Sequence, residues 1–205
     1  MKQILTLLLI LLSVAGAKDT SFDERDFSEE NIAKVILENA KKYNIDPRVI
    51  YNIINIESAF KPYAIAVETS KKSAMMLKEL KSENIDILVG RTYHSRIWLV
   101  SIFPKRLEDA VFMVNLLKDL KFGFDVGSMQ INTCNFSKKE ARYMLDPKVN
   151  IAKGASILKS CMSQFKSKTH FIECYNRGAG NLRKSLRKGK HYYPYYKQYV
   201  KKWDF

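Results

Sequence analysis

Residues 46–62 read Asp46-Pro47-Arg48-Val49-Ile50-Tyr51-Asn52-Ile53-Ile54-Asn55-Ile56-Glu57-Ser58-Ala59-Phe60-Lys61-Pro62. An aspartate followed by proline opens a helix: the carboxylate caps free N–H groups, and proline occupies a position whose N–H would have no partner. Val49, Ile50, Ile53 and Ile54 then recur at helical spacing and form one apolar face. Pro62 disfavours helix at Lys61, so the helix should stop near Ala59. Continued by its own spacing, the apolar stripe reaches position 57, which is an acid. The Glu57 carboxyl group is therefore expected on the core-facing side, near the helix C-terminus. Apolar surroundings and the negative end of the helix dipole both disfavour its charge, so its pKa should be raised. A carboxyl group that stays protonated near neutral pH suits a general acid. The bland alternatives are a buried Glu paired with Lys or Arg, or a helix bent to expose it, and the helix pattern alone favours these.

The flanking sequence is mostly helical too. Ser28 with Glu29 and Glu30 starts a helix carrying Ile32, Val35, Ile36 and Ala40, with Asn39 a polar break and Asn44 its end. Downstream, Ser70 to Glu83 reads as a short charged helix. Ile85–Val89 and Arg96–Phe103 are β-rich runs separated by a six-residue loop and read as a hairpin. Helices resume with Leu107, Ala110, Val111 and Val114 in a stripe that ends by Gly123. A capping box follows at Ser137-Lys138-Lys139-Glu140, and Asp146-Pro147 opens a helix bearing Ile151, Ala155, Leu158 and Met162. The last helix holds Tyr195, Tyr196, Tyr199 and Trp203. The expected fold class is mainly α: one helical domain over residues 18–205, with an insertion at about 67–103 that holds a small β-hairpin.

With 205 residues, 46% of them hydrophobic and only 8 Gly and 5 Pro, the chain is neither disordered nor low-complexity. Its net charge of +14 points to a polyanionic partner. Residues 1–17, MKQILTLLLILLSVAGA, have the parts of a cleavable signal peptide: Lys2, an apolar run from Ile4 to Val14, and Ala15-Gly16-Ala17. No run approaches the roughly 20 apolar residues of a stable membrane span. Export, to a periplasmic location, removes nucleic acid from the expected partners and leaves the cell wall or membrane surface. His94, His170 and His191 are isolated, so neither a metal site nor a cofactor is expected. Cys161 and Cys174 fall on successive helices and could pair as a disulfide. Cys134 is the alternative partner for either, and three free thiols are the remaining reading.

Three more segments bear chemistry. Asp125-Val126-Gly127-Ser128-Met129-Gln130-Ile131-Asn132 sets a glycine turn before two amides, groups that donate and accept at once and suit sugars. Tyr175-Asn176-Arg177-Gly178 places an aromatic and an amide at a helix end. Tyr199-Val200 lies in the aromatic-rich C-terminus.

Glu57-Ser58, Gly127-Ser128-Met129-Gln130-Ile131, Cys174-Tyr175-Asn176-Arg177-Gly178 and Tyr199-Val200, in that order, resemble the motifs of the SLT-type lytic transglycosylases of the lysozyme-like superfamily. The resemblance runs from about Tyr43 to Lys202. Ser128 stands where the family usually has an apolar residue, and Cys174 where it usually has Ala. The long spacer before Asp125 looks more like the small enzymes that accompany secretion, conjugation or pilus machines. The resemblance implies a lysozyme-like fold and cleavage of the MurNAc–GlcNAc β-1,4 bond of peptidoglycan without water, ending in 1,6-anhydroMurNAc. Glu57 would be the catalytic acid and then the base. Gln130 and Asn176 would hydrogen-bond the glycan, with Ser58, Met129, Tyr175 and Tyr199 at the cleft and Tyr175 also on Glu57. Two other readings stand beside it. One is a lysozyme-type hydrolase using a carboxylate such as Asp125 to position water. The other is a non-catalytic protein that binds peptidoglycan or serves secretion assembly.

Overall fold

A computed structural model describes residues 28–92 and 96–201. The signal sequence expected at 1–17, His94 and Trp203 lie outside the described residues. Helix α1 spans Glu29–Tyr43, capped by the Ser28 hydroxyl and closed by Asn44 in the left-handed region, φ 50°. Asn39, the polar break in its stripe, is buried and donates its side-chain amide back to the Val35 carbonyl. Helix α2 spans Pro47–Ser58, with the Asp46 carboxylate accepting from the Arg48 N–H. It ends where Pro62 predicts, and Ile50, Ile53 and Ile54 are fully buried on one face.

The β region is larger than the expected hairpin. Strand β1 (Ile65–Thr69) is followed by helix α3 (Lys71–Lys78) and strands β2 (Ile85–Arg91) and β3 (Trp98–Pro104). Helix α4 (Leu107–Asp119) leads to the short strands β4 (Asp125–Val126) and β5 (Ile131–Asn132). All five strands form one antiparallel sheet in the order β2-β3-β1-β4-β5. The hairpin is thus joined, through β1, to the Asp125–Asn132 segment, because β1 pairs with β3 on one side and β4 on the other. Ile65, Val67, Ile87, Val100 and Ile102 bury one face of this sheet. Helices α3 and α4 cover that face. Trp98 points the same way, partly buried against the core, with Lys71 and Arg91 beside its ring.

Three 3-10 turns follow β5. The Ser137–Glu140 capping box opens one such turn, Lys138–Glu140, rather than an α-helix. Helices α5 (Pro147–Gln164), α6 (Lys168–Arg177), α7 (Ala179–Arg187) and α8 (Pro194–Lys201) complete the described chain. α5 packs on α1 and on α6, and a Cys161–Cys174 disulfide ties α5 to α6, leaving Cys134 free and exposed. α8 packs on α2 and α6. The fold is mainly α, lysozyme-like in layout, with the small antiparallel sheet along one side.

Candidate active site

The last turn of α2 places Glu57 in a poorly solvated position. Burial pushes its carboxyl group up to about 7, against an opposing hydrogen bond from Tyr195 and with a further push from the charge of Asp125. The Tyr195 phenol donates to Glu57 Oε1. Tyr195 and Tyr199 share one face of α8. As Tyr195 meets Glu57, Tyr199 meets Asn52, five residues back along α2. The two helices therefore run antiparallel, with both phenols between them.

Beyond Glu57 the chain turns sharply. Ala59 and Phe60 are both left-handed, φ 49° and 62°, and Gln130 on the facing turn has φ 47°. Non-glycine residues in that region cost on the order of 1 kcal/mol or more each, a strain that clusters at functional sites. Here the surroundings hold them in place. The Gly127–Gln130 turn is fastened at nearly every backbone group. The Gly127 N–H donates to the Ala64 carbonyl, and the Gln130 side-chain amide donates to the Ala64 and Gly127 carbonyls. The Ser58 hydroxyl donates to the Ser128 carbonyl at 2.8 Å, and the Tyr175 phenol to the Met129 carbonyl at 2.7 Å. Fully buried Asn150 accepts from the Met129 N–H and donates to the carbonyls of Val126 and Met144. Gly127 has φ +82°, and a Cβ there would sit 2.2 Å from Asn150 Nδ2, so this position needs glycine for both reasons.

Several expected ligands have structural roles instead. Ser58 is buried, and its hydroxyl is committed to the Ser128 carbonyl, so it positions the turn. Met129 is fully buried with its side chain on Gly154 and does not line a cleft. Tyr175 bonds Met129, not Glu57; the phenol on Glu57 belongs to Tyr195. Tyr199 is buried against α2 and away from Glu57, packing the helix pair. Gln130 remains half-buried on the turn, and Asn176 is exposed at the end of α6.

Four further residues build the site around Glu57 and the turn. Tyr195 was legible only as part of an aromatic run. Asn150 is a polar residue on a buried helix face, the same type of signal that marked Glu57. Asn132 donates to Asp125 Oδ1 at 2.7 Å, and burial raises the Asp125 pKa, with the charge of Glu68 adding to it. Glu173, fully buried on α6, accepts from the Tyr196 N–H and so anchors the helix that carries Tyr195.

No curated protein and no solved structure matches the chain. The family model of the transglycosylase SLT domain matches residues 34–196, a span that takes in Glu57, the Gly127–Gln130 turn and Tyr195. With most of its length so matched, the chain belongs to the SLT transglycosylase family and is a lytic transglycosylase, a lyase acting on peptidoglycan.

Proposed function

We propose that this protein is exported and cleaves the MurNAc–GlcNAc β-1,4 bond with Glu57 as its single acid and base. The observation that carries this reading is the Glu57 carboxyl group, raised to about 7 and held by Tyr195. Near neutral pH such a group is available both protonated and ionised. It first gives its proton to the leaving glycosidic oxygen. As a carboxylate it then takes the proton of the MurNAc 6-hydroxyl, which closes the 1,6-anhydro ring. Gln130 and Asn176 hydrogen-bond the glycan. Export is supported by the Lys2-led apolar N-terminus and by the Cys161–Cys174 disulfide, a bond that persists in oxidising compartments such as the periplasm. The length of the chain before Asp125 extends the proposal to service alongside a secretion, conjugation or pilus machine.

The test is digestion of purified peptidoglycan by residues 18–205, borohydride reduction and mass spectrometry of the ends. Non-reducible anhydro ends that vanish with Glu57→Gln are expected. Reducible ends would overturn the single-carboxyl mechanism and assign Asp125, near enough to influence Glu57, the task of positioning water.

A further inference from the structure

On β1, Ile65 and Val67 are buried, so Ala66 and Glu68 face the opposite side of the sheet. Register carries that outward face across the strands. Ala66 lies opposite Asp125 on β4 and Ser101 on β3, and Ser101 lies opposite Leu88 on β2. Asp125, whose charge reaches Glu57, thus stands in one row with Ser101 and Leu88. Phe103 occupies the neighbouring row, opposite Asp86. At the usual strand spacing, Ser101 is about 10 Å and Leu88 about 14 Å from Asp125, a reach of a few sugar rings.

This row suits a glycan. Ala66 and Ser101 are small and leave a flat floor, while Leu88 stands 62% exposed on a strand and offers apolar surface to a pyranose face. Beside it opens a cavity of about 510 Å³, lined by Lys61, Asp86, Phe103 and Lys105 among others, a size typical of ligand sites. Lys61 Nζ sits 4.1 Å from the Phe103 ring centroid. Asp86 is paired with Lys81 at 3.7 Å, so the cavity presents a net positive charge.

We propose that the outward face of β1–β3 continues the glycan cleft and seats further sugars of the same strand. The cavity at Lys61 and Lys105 then receives the carboxylates of the stem peptide carried by those sugars. The proposal rests on Glu57 marking the cleavage point, and it gives the inserted strands a binding task.

The test uses the Glu57→Gln protein, so that strands are bound without turnover, titrated with stem-bearing glycan fragments of defined length. An octasaccharide should bind about tenfold more tightly than a tetrasaccharide, the equivalent of one additional buried apolar contact. Leu88→Asp, a change at an exposed side chain, should erase that length preference, and Phe103→Ala should weaken it. Lys61→Gln with Lys105→Gln should lower the affinity for stem-bearing octasaccharide to that for amidase-trimmed octasaccharide. Equal affinity for both lengths, or a preference untouched by Leu88→Asp, overturns the extended cleft. A stem preference that survives loss of both lysines overturns the role of the cavity. Failure of the Glu57 mechanism shows separately, as reducible product ends from the wild-type protein with the length preference intact.

Discussion

The phenol of Tyr195 donates to Glu57 Oε1 at 2.5 Å, joining residues 138 positions apart in the chain. The bond favours the ionised carboxylate, whereas burial favours the protonated acid, and burial is the larger effect. The balance leaves Glu57 near 7, where both of its proposed roles are accessible. Activity should therefore fall as pH rises through about 7, because the fraction of protonated Glu57 falls. In Tyr195→Phe the bond that stabilises the anion is gone, so the alkaline limb should move to higher pH. Its kcat should drop on the order of tenfold through lost positioning. A pH–rate profile for the two proteins checks both; an unmoved limb would separate Tyr195 from the titration.

Glu57→Gln should lose activity by roughly 10²-fold or more, the scale of general acid–base catalysis. Its stability should change in the opposite direction. Because the folded pKa of Glu57, about 7, lies above the ordinary 4.5, wild-type stability is complete below pH 4.5 and declines as pH rises through 7. The amide carries no charge and still accepts from Tyr195. Glu57→Gln should thus be more stable than wild type by up to roughly 3 kcal/mol above pH 7 and by little near pH 4.5, as read by denaturant unfolding at the two pH values.

Local signals made half of this site legible. The Glu57 position follows from the Ile50, Ile53, Ile54 spacing on a single helix, and the caps at Ser28, Asp46 and Asp146 lie where their side chains predict. What stayed hidden depends on contacts distant in sequence. Nothing local distinguishes Tyr195 from Tyr192, Tyr193 or Tyr196 as the partner of Glu57. Strand β1 was hidden for a related reason: Ile65-Ala66-Val67-Glu68-Thr69 alternates for only five residues, and its identity comes from pairing with β3 and β4. Ser58 and Met129 look like ligands in the sequence because they sit inside motifs. The packing shows that such residues also build the turn that carries the ligands.

Asn150 holds that turn from behind. Asn150→Ala would strand the Met129 N–H and the carbonyls of Val126 and Met144 in the interior. Buried groups left unpaired cost about 1–3 kcal/mol each, so a loss of at least ~3 kcal/mol is expected in denaturant unfolding. Ser58→Ala releases one carbonyl and should cost about 1–2 kcal/mol. Its activity loss should appear in kcat, since the displaced element is the Gln130 turn. A rise in KM alone would mean that Ser58 touches substrate after all.

Glu173→Gln tests the anchoring of Tyr195 at a distance. Glu173 Oε1 accepts from the Tyr196 N–H, and its other oxygen faces Arg177 at 3.9 Å. The amide keeps an acceptor for Tyr196, so α8 should stay seated and activity should fall less than about threefold. Glu173→Leu removes the acceptor and should reduce kcat on the order of tenfold, with the alkaline limb moving as in Tyr195→Phe. Matching pH profiles for Glu173→Leu and Tyr195→Phe would show that Glu173 acts through Tyr195; a lower rate with an unchanged profile would make it a packing residue only.

The Cys161–Cys174 bond closes a loop of sequence separation 13 and joins α5, which backs Met129 through Gly154, to α6, which carries Tyr175. Closing a loop of that size restricts the unfolded chain by about 3 kcal/mol on the chain-entropy model. Cys161→Ala with Cys174→Ala should lower the thermal midpoint by several degrees. Dithiothreitol should produce the same drop in the wild-type protein and none in the double variant. Activity at a temperature where both proteins are folded should change little, because the Tyr175–Met129 and Asn150–Met129 bonds hold the turn without the disulfide. If the double variant instead lost most of its kcat while remaining folded, the disulfide would be setting the position of Tyr175 and Asn176 on α6, and the turn's own hydrogen bonds would be insufficient.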